Sequence, residues 1–254
     1  MKRTFIVFLV LFVGRVWAQS DMDVFQQANK AYKDGDYATA LEQYNNLLEQ
    51  GNVSADLYYN LGNTYYKLNQ IAPSIYNYEK ALLINPNLED VKNNLNFAER
   101  MRIDAFEELP KSVFQKFNET VIYPISHNTW AWLSVLFAFV ITGFFLLYYF
   151  SKYTSKKRLY FVLSFVALAL FLILLSFSIK SYHHFKNDQP AIVFSTKVAV
   201  KSEPNITADE SFVLHEGTKV QIKETVEGWY KIKLSDGKIG WLRQADVKPL
   251  KKPD

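Results

Sequence analysis

The stretch AYKDGDYATALEQYNNLL, residues 31–48, recurs as YYKLNQIAPSIYNYEKAL, residues 65–82, after a shift of 34 residues. A third half-copy, LEDVKNNLNFAERM, begins at Leu88. A fixed period of this length is typical of stacked helix pairs, in which each pair buries its apolar stripe against its neighbours. We therefore expect an α-helical array over residues 21–104, ended by a capping helix. The matched residues are Asn29 and Asn63, Tyr32 and Tyr66, Lys33 and Lys67, Tyr44 and Tyr78, Leu48 and Leu82, Asn60 and Asn94, and Leu61 and Leu95.

The second copy resembles the tetratricopeptide repeat family. The first copy is similar but has Ala28 where the family prefers glycine. Ser74 of the second copy replaces Ala40 at the close-packing position and is small enough to keep the contact. The resemblance implies paired helices whose concave face binds peptides or proteins. The positions that carry it are Tyr58, Leu61, Gly62 and Tyr65 in the first helix, Tyr78 and Ala81 in the second, and Pro86 at the end.

The resemblance also implies which side chains face the concave groove. Asparagines there could hydrogen-bond a peptide backbone, tyrosine rings could stack, and lysines could meet a carboxylate. Alternatively, the same residues are ordinary solubilising residues of the repeat. The predicted groove residues are Phe25, Asn29, Tyr32, Lys33, Tyr59, Asn63, Tyr66 and Lys67, with Phe97 and Arg100 as further candidates.

Two stretches of 21 residues without formal charge, 130–150 and 159–179, are each long enough for a transmembrane helix. The eight residues between them, 151–158, contain four cations. By the positive-inside rule this loop is cytoplasmic, so we predict a transmembrane hairpin whose two flanks lie on the other side of the membrane. The four cations are Lys152, Lys156, Lys157 and Arg158.

The two predicted spans contain no Asp, Glu, Lys, Arg or His. Ion pathways and proton relays need ionisable groups at membrane depth, so these spans alone do not form a transporter or a channel. Small and hydroxyl residues such as Ser134, Gly143 and Ser164 could pack against other helices. We favour a plain membrane anchor over such a partner surface.

The amino terminus, MKRTFIVFLVLFVGRVWAQS, has two cations followed by an apolar run that ends before Arg15. The run is too short to cross a bilayer, and Val16 and Ala18 occupy the small-residue positions of a cleavage site. We therefore expect a secretory signal peptide over residues 1–18. The alternative is an uncleaved short anchor, and both would place the repeat region outside the cytoplasm.

Residues 105–129 link the repeats to the first span. Apolar residues recur there at three- and four-residue steps from Phe106 to Val121, which indicates an amphipathic helix. Such a juxtamembrane linker could rest on the outer face of the membrane, or it could pack on the repeat array.

From residue 190 to residue 250 the apolar period changes to two, which indicates short strands. Asp236-Gly237 is typical of a hairpin turn. The stretches GWYKI, residues 228–232, and DGKIGWL, residues 236–242, make this region similar to bacterial SH3-like (SH3b) domains. That resemblance implies a small all-β barrel of a type that often binds cell-wall peptides or proteins. Trp229, Tyr230 and Trp241 could together form an aromatic groove. We favour instead that Tyr230 and Trp241 pack in the core, and that Trp229, on the opposite face from Tyr230, is the ligand-surface residue.

The sequence has no motif for catalysis or metal binding. It has no Cys, and no nearby cluster of carboxylates completes a metal site at the pair His183 and His184. GxSxG, HExxH, P-loop and GxGxxG motifs are absent. The net charge of +4 comes without a dense basic patch, so we expect no nucleic-acid partner. We therefore predict no enzymatic activity, no metal and no cofactor.

The order of these parts resembles that of the Bat (Bacteroides aerotolerance) envelope proteins of the BatE type. This resemblance implies a Gram-negative inner-membrane protein whose two soluble modules are both periplasmic. It also implies von Willebrand factor A-type Bat proteins as partners, in a complex linked to oxidative or envelope stress. We thus expect a non-enzymatic scaffold. The alternatives are a protein that senses or binds peptidoglycan, and an enzyme site in the repeat groove, against which the lack of paired carboxylates argues.

Overall fold

The computed structural model describes residues 22–106 and 109–251. The predicted signal peptide, residues 1–18, lies outside the described residues. The chain divides into two compact units: one comprises Met1–Glu107 together with Gln189–Asp254, and the other comprises Glu108–Asp188. The first unit therefore joins the repeat region to the β region, although the whole second unit separates them in sequence.

Five helices form the predicted array in the first unit. The first helix, α1, is described from residue 22 to residue 33 and is followed by Gly35, whose φ of 82° suits a turn. The next four helices are α2 (Tyr37–Glu49), α3 (Ala55–Lys67), α4 (Ile71–Ile84) and α5 (Glu89–Arg100). The predicted α-helical repeat array is confirmed.

Side-chain caps fix where two of these helices begin. The Asp36 carboxylate accepts a hydrogen bond from the Thr39 N–H at 3.1 Å. The Ser54 hydroxyl oxygen accepts one from the Leu57 N–H at 3.1 Å. These side chains satisfy backbone N–H groups that have no partner inside the helix. The turn residues of the repeat thus set the starts of α2 and α3.

The helices of the second repeat approach closely because Gly62 has no side chain. A Cβ at this position would lie 2.5 Å from the ring of Tyr78, which is only 1% exposed. The Ser74 hydroxyl donates to the Gly62 carbonyl oxygen at 2.9 Å across the same contact. Small residues at both positions therefore hold α3 against α4.

The β region forms one seven-stranded antiparallel sheet. Its strands are β1 (Pro190–Val193), β2 (Lys197–Lys201), β3 (Glu210–His215), β4 (Lys219–Val226), β5 (Trp229–Lys233), β6 (Ile239–Arg243) and β7 (Val247–Pro249). Their order in the sheet is β3-β2-β6-β5-β4-β1-β7. Val200, Leu214, Ile232 and Leu242 are fully buried in its core. The alternation of apolar and polar residues that predicted the strands thus corresponds to inward and outward side chains.

The sequence predicted a closed barrel, and this prediction is wrong because the sheet does not close. Among the described residues, β3 pairs only with β2 and β7 only with β1, so the sheet keeps two edges. The ladder between β2 and β6 contains only the pair Lys201 and Trp241. At the end of β3, the His215 N–H donates to the carboxylate of Asp104, which follows α5 in the chain. A segment that follows the repeats therefore covers part of one edge.

The second unit begins with a short helix, α6 (Val113–Phe117), and one π-helical turn, Asn118–Ile122. The Trp130 indole N–H donates to the Ile122 carbonyl oxygen at 3.0 Å, which ties the linker to the next helix. Phe114 remains 79% exposed. Within the expected amphipathic linker, the α-helix is thus confined to Val113–Phe117, and Phe114 on it is accessible.

Two long apolar helices come next, α7 (His127–Phe150) and α8 (Thr154–Asn187). Each is long and apolar enough to span a membrane. Only residues 151–153 separate them, so three of the four loop cations lie in the first turns of α8, where lysine and arginine are good helix formers. These three are Lys156, Lys157 and Arg158, and Lys152 lies in the turn itself.

Candidate functional site

A pocket of about 260 Å³ opens on the array, among side chains of α1, α3, α4 and α5. Four of the predicted groove residues meet in it, and its walls combine aromatic rings, amide groups and one ammonium group. Such a lining suits a peptide segment that carries an apolar side chain and a carboxylate. The lining residues are Tyr32, Asn63, Tyr66, Lys67, Tyr78, Asn94 and Phe97.

A hydrogen-bond network lies beneath this pocket. The Asn63 side-chain oxygen accepts from the Tyr78 hydroxyl at 2.7 Å and from the Asn94 amide at 2.8 Å. The three residues come from α3, α4 and α5, so the network joins successive helices. The same pattern occurs one repeat earlier among Asn29, Tyr44 and Asn60, with distances of 2.6 and 2.9 Å.

The network gives Asn29 and Asn63 a structural role that the sequence prediction did not include. Each side-chain oxygen has two lone pairs and accepts two hydrogen bonds, so it is saturated. The side-chain N–H groups remain as the part that could donate to a ligand. Replacing either residue by alanine would therefore loosen helix packing as well as any peptide contact.

Burial keeps the two tyrosine hydroxyls of the network protonated. It raises the pKa of Tyr44 to about 12, and it also raises the pKa of Tyr78 above its usual range. Both hydroxyls therefore remain hydrogen-bond donors at neutral pH, and the network does not depend on pH there.

The other predicted groove residues lie outside this pocket. Phe25 lines a separate pocket of about 410 Å³ formed with residues of α2 and the start of α3. The Tyr59 hydroxyl accepts a hydrogen bond from Asn94 at 3.1 Å. Lys33 is exposed and is not among the pocket-lining residues. The predicted set is thus divided between two pockets and the surface of the array.

On the sheet, Trp229 is the most accessible of the three aromatic residues that the sequence singled out. It is partly exposed, and the Arg243 guanidinium lies 5.7 Å from its ring centroid. Tyr230 is 7% exposed and Trp241 is 9% exposed. The Lys231 ammonium lies 5.4 Å from the Trp241 ring. A ligand role for Trp229 stays a prediction.

The structure also contains a site that the sequence analysis missed, a hydrogen-bond cluster centred on Asp104. One carboxylate oxygen accepts from the His215 N–H at 2.6 Å and from the Thr218 hydroxyl at 2.7 Å. The other lies 2.8 Å from His215 Nδ1, and the Asp104 side chain is 10% exposed. Burial alone would raise the pKa of Asp104, but the bonds from His215 and Thr218 outweigh it and lower the pKa below its usual range.

This interface between the array and the sheet has an apolar part. Ile192 of β1 and Leu250 are at most 1% exposed and share a core cluster with Ile71 and Ile75 of α4. Gly217, in the turn between β3 and β4, approaches so closely that a Cβ there would lie 3.1 Å from Ile75. The repeat region and the sheet therefore form one packed body with a common core.

Two lysines extend the interface at its edge. The Lys219 ammonium donates to the Glu79 carboxylate at 2.5 Å, and the Lys80 ammonium donates to the Leu250 carbonyl oxygen at 3.1 Å. Glu79 and Lys80 are adjacent on α4, so this helix contacts the sheet through charged as well as apolar side chains. The array thus orients the sheet by several directional bonds.

Comparisons with known families match both parts of this body. Residues 196–248 match the bacterial SH3 domain, residues 55–88 match the tetratricopeptide repeat, and residues 28–69 match the TPR repeat. The two domain resemblances drawn from the sequence are therefore confirmed. Both domain types are typically non-catalytic and bind proteins or peptidoglycan. No curated protein matches the chain.

The histidines do not form a metal centre in the described part of the chain. Within residues 22–106 and 109–251, no group of three or more His, Asp or Glu residues is placed to hold a metal ion. The His184 ring instead stacks on Tyr123 with a centroid separation of 3.7 Å.

Proposed function

We propose that this protein is a non-enzymatic membrane scaffold that presents its repeat array and its SH3-like sheet together to the periplasm. The observation that carries the proposal is the common core of the array and the sheet. Two candidate spans lie between these parts in sequence, and parts that pack together must lie on the same side of any membrane. A hairpin with a cytoplasmic turn satisfies this requirement, and the four cations favour that orientation.

The partner-binding site is the pocket that Lys67 and Phe97 help to line. Lys67 supplies an ammonium for a carboxylate, and the ring of Phe97, which is 53% exposed, supplies apolar surface. We propose that a protein segment with an acidic group beside an apolar side chain binds here. The resemblance in domain order suggests von Willebrand factor A-type Bat proteins of the inner membrane as partners, in a complex linked to oxidative or envelope stress.

Partner capture by the full-length protein tests this site. We expect Lys67→Ala and Phe97→Ala each to reduce the recovery of partner proteins, cross-linked in intact membranes, by about tenfold, the usual effect of losing a central contact. Both side chains lie outside the asparagine network, so the array should stay folded. Lys33→Ala, which removes the equivalent lysine one repeat earlier, is the matched control and should not change recovery. If the Lys67 and Phe97 variants recover as much partner protein as the Lys33 variant, the pocket is not the partner-binding site.

A second candidate function is peptidoglycan binding by the sheet. The match to the bacterial SH3 domain over residues 196–248 and the accessible ring of Trp229 favour it. The Arg243 guanidinium beside that ring would add a donor for a carboxylate of a wall peptide.

Sedimentation with isolated cell wall tests the second function. If the sheet binds peptidoglycan, Trp229→Ala should lower the fraction of full-length protein that sediments several-fold, since stacking on an aromatic ring is worth about 1 kcal/mol. Trp132→Ala removes an equally large, 73% exposed side chain on α7 and is the control. Sedimentation of the Trp229 variant at the wild-type level would exclude wall binding through this residue.

A further inference from the structure

We propose that the turn of the hairpin binds an anionic phospholipid, with the headgroup phosphate at Lys152 and Lys156 and an acyl chain along the end of α7. A groove of about 750 Å³ lies here, lined by residues from the last turns of α7 and the first turns of α8. The inference rests on the proposed crossing of a bilayer by these helices. It assigns a ligand to a surface that the scaffold function does not use.

The wall of the groove on α7 is apolar and accessible. Leu146 and Leu147 are each 49% exposed, and Phe150 is 74% exposed. Gly143, one turn earlier, also lines the groove, and a Cβ there would meet no atom within 4 Å. Because this wall belongs to a candidate span, it continues toward the hydrocarbon and suits an acyl chain.

The rest of the lining carries positive charge that the hairpin itself does not neutralise. Lys152, in the turn, and Lys156, in the first turn of α8, both line the groove. The sequence contains no Asp or Glu between Glu119 and Asp188. No carboxylate of α7, α8 or their turn is therefore present to pair with these lysines, and an anionic headgroup supplies the missing countercharge.

The start of α8 adds hydrogen-bond donors at the same place. Its N-cap residue, Tyr153, makes no side-chain hydrogen bond to the N–H groups of the first turn. The amino end of a helix carries partial positive charge and binds phosphate groups well. A phosphate between the two lysines would therefore also be stabilised by the end of α8.

A phospholipid fits this combination because it carries both parts of the ligand. A free phosphate would leave the apolar wall of α7 unused. A zwitterionic lipid would bring its own ammonium group toward the lysine pair, which repels it. Basic grooves at the cytoplasmic ends of transmembrane helices bind anionic headgroups for the same reasons.

Native mass spectrometry of the delipidated full-length protein in detergent tests the proposal. We expect phosphatidylglycerol to bind on the order of tenfold more tightly than phosphatidylcholine with the same acyl chains. Lys152→Gln combined with Lys156→Gln should remove this preference. Gly143→Phe, which fills the groove without changing charge, should weaken binding of both lipids. Lys157→Gln combined with Arg158→Gln, which removes equal charge outside the groove, is the matched control and should keep the preference.

Each other outcome overturns the proposal. Equal binding of the two lipids would show that the groove has no headgroup preference. Equal losses in the two double variants would show attraction by diffuse charge only. Competition by inorganic phosphate at the same concentration would identify a free-phosphate site. Alkaline extraction of native membranes separates the membrane proposal from the lipid-binding inference. Release of the protein would overturn the membrane proposal itself. Retention of the protein without lipid preference would overturn only the lipid-binding inference.

Discussion

Replacing Gly62 by valine should separate the two helices of the second repeat, α3 and α4, and reduce the stability of the array by about 3 kcal/mol. The first added atom would lie 2.5 Å from the Tyr78 ring, and that ring is 1% exposed and held by the bond between its hydroxyl and Asn63. The ring cannot move aside without breaking the asparagine network, so α3 and α4 must separate. Hydrogen exchange of the α3 and α4 amides in the full-length protein should accelerate about a hundredfold.

A second glycine provides the control for this experiment. Gly143 on α7 has no neighbouring atom within 4 Å of the place where a Cβ would stand. Gly143→Val should therefore leave exchange in α3 and α4 unchanged. If Gly62→Val also leaves these amides protected, the two helices do not pack through this glycine as described.

Replacing Asp104 by alanine should separate the sheet from the array at a cost of roughly 2–4 kcal/mol. The change removes the acceptor of the His215 N–H and of the Thr218 hydroxyl, and Thr218 is fully buried. Unsatisfied donors at a buried interface cost more than the loss of an exposed bond. We expect faster hydrogen exchange in β3, in β4 and in the face of α4 that contacts the sheet.

Asp236→Ala is the control for the Asp104 change. Asp236 also accepts hydrogen bonds, but from Lys238 within a single turn of the sheet. Its loss should not affect exchange in α4. Equal exchange in the Asp104→Ala variant and the wild type would show that the cluster does not hold the two parts together.

The Asp104 cluster also predicts a dependence on pH. The pKa of Asp104 is lowered in the folded state by its bonds to His215 and Thr218, which outweigh the opposing effect of burial. Its contribution to stability is therefore complete above about pH 4, the ordinary value for an aspartate, and is lost as the pH falls through the lowered pKa. Asp104→Asn should remove this part of the acid sensitivity in the same exchange experiment.

The repeat array could be predicted from the sequence because its contacts are periodic. The match of Tyr44 with Tyr78 and of Asn60 with Asn94 already contained the members of the hydrogen-bond network. The match did not indicate that these residues bond to one another. It is these hydrogen bonds that make Asn29 and Asn63 structural as well as accessible. A shift of 34 residues shows which positions are equivalent, but the contact between neighbouring helices appears only in three dimensions.

The interface of the array with the sheet could not be predicted, for a related reason. Asp104 comes after the last repeat and belongs to no motif, and its partner His215 lies 111 residues further along the chain. The open sheet was missed because an alternation of period two predicts strands but not which strands pair. The accessibility of Trp229 could be predicted, because adjacent residues on a strand point to opposite faces and Tyr230 was expected to face the core.

The common side of the membrane for the array and the sheet is the central claim, and labelling of single cysteines tests it most directly. The chain has no native Cys, so Asp34→Cys in the array, Ser155→Cys at the start of α8 and Glu203→Cys in the sheet each introduce one exposed thiol. In intact spheroplasts, a membrane-impermeant maleimide should label the Asp34 and Glu203 variants and should label the Ser155 variant only after lysis. Labelling of the Asp34 and Glu203 variants from opposite sides, or of the Ser155 variant alone in intact spheroplasts, would contradict the account.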